Sequence, residues 1–383
     1  MTRWPFSLLS VFCAGCMAPG MGGQCEAQAT DPFRELLVVD PALLAPSGAD
    51  AADLAWSPRR VLSTTGSGAW LARGLERWRD AALSEGNVAV AGALDDGVLC
   101  RWLRETPENH CDQRCTQCVA RDYPEEHAPL RTLAVVNRSD LRLMPDARSQ
   151  AGEGRVVLGL APETGADAPA FGLTLIFEYA LEDGVESWAK RWHALAPLSD
   201  ADASRALGDI VASFVSAPPL QDGRPALSQL RASIELDPDS SELRQLAPDA
   251  DGELALRELR NTPRPDLDGS HALDAVVVDQ SARVLDGTEL VPAAMLAQVQ
   301  PYGAHDWSLP DVAPEVRSEF DRGTCAGCHA HDGVDGGFHV SPFVLGRAGV
   351  SPFLFNPTAD DDELRRRDRE QRAVLCSDVE TAP

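Results

Sequence analysis

Lysine is almost missing from this chain. Lys190 is the only one among 34 basic residues in 383, and arginine supplies the rest. Against 59 acids this leaves a net charge of −25. That balance argues against nucleic-acid binding, which wants a basic face, and against electrostatic docking on anionic lipid. Long hydrophobic runs are also missing. The apolar stretch Pro5 to Gly15 is too short to span a bilayer, which takes about 20 residues. There is no P-loop, no dinucleotide fingerprint and no nucleophile elbow, which removes the commonest nucleotide-binding and hydrolase readings. Methionine is scarce at 5 residues, and none follows Met295. What is present is a hydrophobic content of 44%, enough for a real core, in a chain long enough for two domains.

The N-terminus reads as an export signal, with Arg3 ahead of the short apolar run. Cys13-Ala14-Gly15-Cys16 resembles a bacterial lipobox with Cys16 as the lipidated residue, although Cys13 stands where that pattern has leucine. Ala27-Gln28-Ala29 offers a competing cleavage site. The expectation is a signal and tether over 1–29, a lipid anchor as the only membrane contact, and a periplasmic or outer-membrane location. Cysteine usage agrees with an oxidising compartment. Cys25, Cys100, Cys111, Cys115, Cys118 and Cys376 form an even set able to make three disulfides in 15 connectivities. Cys111-x3-Cys115-x2-Cys118 has the spacing of a radical iron–sulfur motif, but no repeating βα pattern follows it, so disulfides are the better reading. Zinc held with His110 and His127 is the alternative.

Periodicity predicts helices around Trp70 to Trp78 with Ser67 as cap, over Val185 to Leu195, and over Ser199 to Ser216. Strands are predicted at 133–137, 155–160, 173–179, 227–236, 254–259 and 275–278. Strands on both sides of a helical insertion make the class α+β. The expected division is a β-rich α+β body over 30–310 and a small, mostly helical segment over 311–383. In that segment Pro314 to Arg322 and Asp360 to Leu375 read as helices.

Cys325-Ala326-Gly327-Cys328-His329 carries the chemistry. C-x-x-C-H is the attachment signature of c-type haem: two thiols one turn apart reach two vinyl groups, and the next imidazole meets the iron. Cys325 and Cys328 are the expected thioether residues, and His329 the proximal ligand. Residues 319–329 resemble the first helix and haem loop of class I cytochromes c. That family supplies a distal methionine downstream, and here none exists. Met144 and Met295 lie upstream, so His339 is the candidate distal ligand. A zinc site built from these cysteines with nearby histidines, or a plain Cys325–Cys328 disulfide, would use the same residues. Asp332 to Gly337 lacks the ligands of a calcium loop and reads as a turn. Trp188, Arg191, Trp192 and His193 read as packing on a helix, and Asn137 to Asp140 as an ordinary polar turn.

Several stretches together resemble a family of exported proteins common in myxobacteria. They are 133–142, 152–159, 173–179, 188–195, 227–231, 256–259 and the C-A-G-C-H with Phe338-His339-Val340. The resemblance covers roughly 130–355 and implies a signal or lipobox, a β-rich body and a cytochrome-like tail. It implies no reaction. The functional expectation is an exported protein with one haem c, transferring electrons to a redox partner, for which an acidic surface suits a basic one. A non-redox binding or structural lipoprotein, or a haem-dependent oxidoreductase, are the alternatives.

Overall fold

The structure is a computed structural model that describes residues 30–46, 51–143, 151–181, 184–220, 223–236, 242–288, 290–301, 306–330, 338–359 and 362–376. The expected signal and tether with Cys16 and Cys25, Met144, and residues 332–337, read from sequence as a turn, lie outside the described residues.

One antiparallel sheet organises the chain. Its strands are β1 (Leu37–Val38), β2 (Leu130–Arg138), β3 (Glu153–Leu160), β4 (Gly172–Ala180), β5 (Leu227–Glu235), β6 (Glu242–Pro248), β7 (Leu254–Arg257) and β8 (Gln300–Pro301). Strands β1 to β7 lie side by side in chain order, and β8 pairs with β6 beside β7. The longer helices are α1 (Pro58–Thr65), α2 (Gly68–Ser84), α3 (Val185–His193), α4 (Asp200–Val215), α5 (His271–Asp279), α6 (Pro314–Gly323), α7 (Cys325–Ala330) and α8 (Glu363–Cys376). The class is therefore mixed α+β, as the sequence suggests. The Ser67 and Ser199 side chains cap α2 and α4 by accepting from the Trp70 and Asp202 amides, as expected.

The two faces of the sheet differ because side chains alternate along each strand. On β4, Leu173, Leu175, Phe177 and Tyr179 join a large apolar core with Val156 and Leu158 of β3 and Leu230 and Ile234 of β5. Trp78 of α2, Trp188 and Trp192 of α3, and Phe214 of α4 cover that face. The tryptophan pair is thus core packing. Each such aromatic removes 150–250 Å² from water (a typical range), which makes this face the main source of stability.

The opposite face is charged at its centre. Glu178 is fully buried, and its Oε1 lies 3.2 Å from Arg155 and 3.1 Å from Arg231. Glu153 pairs with Arg155 at 2.6 Å and with Arg260 at 3.3 Å. Beside this lattice, Leu133, Val136 and Val157 make a smaller apolar patch under Phe33, Val340, Leu354 and Leu364. Chain ends meet here. Gln371 of α8 donates to Glu35 at 3.0 Å and accepts from Asn137 at 2.8 Å. Asn137 also accepts from the Trp188 indole at 3.0 Å, and His193 lies 3.0 Å from Glu35. The polar turn Asn137 to Asp140 is therefore a buried joint: Asp140 pairs with Arg138 at 2.8 Å and Arg366 at 3.5 Å.

Three differences from the sequence-based expectation are informative. Residues 275–278 are helical within α5, not a strand; Ser270 caps the helix, and Leu273 and Val277 at i and i+4 share one apolar cluster. Strand β6 was not predicted. Its Glu242 and Arg244 look solvated in sequence, yet both are buried because they pair with each other at 3.1 Å. The 254–259 strand stops at Arg257. In addition, residues after 311 have no apolar cluster of their own among the described residues. Val316, Phe320 and Ala326 pack with Leu273, Val277 and Trp307, while Cys325 packs with Leu243, Leu259 and Ala297.

Candidate functional site

Helix α6 begins at Pro314, a residue suited to a first helical turn, and buries Val316 and Phe320. It ends at Thr324, which turns the chain into α7. The Thr324 hydroxyl donates to Asp321 O at 3.0 Å, and it accepts from the Trp307 indole at 2.9 Å and the Gly327 amide at 3.2 Å. Asp321 in turn accepts from the Trp307 amide at 2.8 Å. The close turn explains Gly327: a Cβ there would stand 2.5 Å from the Asp321 carbonyl oxygen. A larger residue at the second x of C-x-x-C would push α7 off α6.

The two thiols face different surroundings. Cys325 is buried between the turn and the charged face of the sheet, and its amide donates to the Thr262 hydroxyl at 3.0 Å. Burial pushes its thiol pKa up, against the pull of Arg231 and Thr262. Cys328 is half-buried, with its Sγ 3.2 Å from His339 Nε2. The His329 and His339 rings stack at 4.7 Å with 29° between their planes. Phe353 lies against His339 at 5.2 Å, and Phe338 presses on β4 where Gly172 leaves room.

Both thiols are unbridged. The other described cysteines are all in disulfides. Cys100 joins Cys115, Cys111 joins Cys118, and Cys376 is bonded as well. The sulfurs of Cys111, Cys115 and Cys118 lie close enough for a metal, but the two bridges consume them. This supports the disulfide reading of that loop. Met295 is packed against the cluster around Trp307.

The donor set fits haem attachment on its proximal side: two open thiols one turn apart, with an imidazole next in sequence. His339, the expected distal residue, stands beside this set, stacked on His329 and in contact with Cys328. A second metal-capable group was not foreseen from sequence: His271, Asp274 and Asp311 bring donor atoms within 4.8 Å of one another. The signal was hidden because Asp311 is distant in the chain. No helix among the described residues is long and apolar enough to cross a membrane.

No protein-family profile, curated protein or solved structure matches the chain.

Proposed function

We propose that this chain is an exported c-type cytochrome-like protein that holds one haem through Cys325 and Cys328, with His329 on the iron, and transfers electrons. The observation that carries this reading is the pair of unbridged thiols in C-x-x-C-H, in a chain whose other described cysteines are bridged. Disulfides at 100–118 favour an oxidising compartment, which is where such attachment takes place. Bound haem would supply one-electron chemistry. The chain's own part is positional. Thr324, Trp307 and Asp321 fix the α6–α7 turn that presents both sulfurs, and the thiol of Cys325 sits within the electrostatic reach of Arg231. Cys16 would anchor the protein to a membrane by lipid, and an acidic surface would favour a basic redox partner.

The test is maturation in a periplasm with the cytochrome c machinery. Peroxidase staining after denaturing electrophoresis should follow this chain, and a pyridine spectrum should report one haem per chain. Protein that matures with no stain overturns the reading. Carbon monoxide binding to the reduced protein would indicate an open iron position and an oxidoreductase.

The thiol–imidazole contact favours one second reading, a transition-metal site begun by Cys328 and His339. Stoichiometric zinc in stain-negative protein would select it.

A further inference from the structure

We propose that His271, Asp274 and Asp311 form a binding site for one divalent transition-metal ion, separate from the cysteine pair. His271 and Asp274 are at i and i+3 on the first turn of α5, so they share one side of that helix. Asp311 lies just before α6, and its Oδ2 is 3.8 Å from His271 Nδ1. One donor atom from each residue falls within 4.8 Å of the others.

The buried carboxylate is what points to a ligand. Asp274 is only 2% exposed, and its Oδ1 has no hydrogen-bond partner. A buried carboxylate oxygen with no partner in the protein is costly unless water or an ion satisfies it, and here two further donors stand beside it. His271 and Asp311 are mostly exposed, so a cation can reach Asp274 from solvent between them.

The scaffold under the three residues is firm. Leu273 and Val277 pack with Leu309 and Val312 on either side of Asp311. The Gly269 amide donates to Ser308 O at 3.1 Å, and the Ser308 amide donates to Asp268 at 2.8 Å. Small rotations of the two exposed side chains would close the donors to coordination distance. One imidazole and two carboxylates suit a first-row divalent ion such as Mn²⁺ or Zn²⁺ better than Ca²⁺, which prefers an all-oxygen shell.

Mn²⁺ is the probe, because it favours oxygen and nitrogen donors over thiolates. The full chain is titrated at pH 7.5 and free Mn²⁺ is read by electron paramagnetic resonance. One ion per chain is expected. Asp274→Asn, His271→Ala and Asp311→Ala should each weaken binding by roughly tenfold or more, and Cys325→Ser/Cys328→Ser should leave it unchanged. Excess Ca²⁺ should compete poorly. Asp311→Ala alters an exposed side chain, so it keeps the test valid if Asp274→Asn fails to fold. In chelator, Asp274→Asn should melt no lower than the parent, since it removes a buried charge. No binding at millimolar Mn²⁺, or binding equal in the parent and Asp311→Ala, overturns the proposal.

Discussion

The cysteines of the 100–118 loop and those of the α6–α7 turn belong to one chain and end differently. In the loop, Cys100–Cys115 and Cys111–Cys118 close on each other, and their Cα atoms are 5.5 and 4.1 Å apart. The buried Asn109 staples the same loop by donating to Leu103 O at 3.2 Å and Asp122 O at 2.8 Å. Those sulfurs are spent on holding a surface segment with few apolar contacts. At the turn, the fold divides two thiols between a dry floor and an imidazole-lined edge and leaves both open. Bridged sulfur there closes a small buried cluster with Leu103; the two thiols at the turn stay open.

The largest effect that would sharpen this contrast is on haem. Cys325→Ser/Cys328→Ser should abolish covalent haem entirely, while Cys100→Ser/Cys115→Ser should keep the stain. Equal staining in both would erase the distinction. Stability should move the other way. Losing the Cys100–Cys115 bridge, which closes a loop of 15 residues, should cost about 3 kcal/mol in urea unfolding. Losing Cys111–Cys118, with a separation of 7, should cost roughly 2 kcal/mol.

Acid should reach the charged regions of the fold next. Burial acts to raise the Glu363 carboxyl, but Arg367 and Arg366 overcome it and hold the group at about 2, against an ordinary 4.5. Glu153, beside Arg155, Arg260 and Arg231, is likewise held low. A carboxyl depressed in the folded state stabilises fully above its unfolded value and loses that contribution as pH falls. Melting temperature should therefore drop between about pH 4.5 and pH 2, and less steeply in Glu363→Gln. A flat profile through that window would contradict the pairing. The smallest effect is kinetic. In haem-free protein, iodoacetamide should modify Cys328 before Cys325, because burial both covers Cys325 and keeps its thiol protonated. Peptide mapping of a time course would read the order.

The sequence showed much of the sheet and little of how the C-terminal segment joins it. Strands β2 to β5 were legible because each carries a run of branched or aromatic residues between turns. β6 was not, because Glu242 and Arg244 neutralise each other only once folded. The valine run in α5 looked like a strand, since β-branching speaks louder locally than a serine cap. At the site, C-x-x-C-H stood out by spacing alone. What no spacing could give is that Cys325 is buried within the electrostatic reach of Arg231, or that His339 stacks on His329. Those depend on which face of the sheet receives the tail.

Glu35 and Gln371 meet across 336 residues, and Asn137 needs both. Clipping the final helix would strip a partner from both Glu35 and Asn137, so the earliest strand should loosen although it lies at the far end of the sequence.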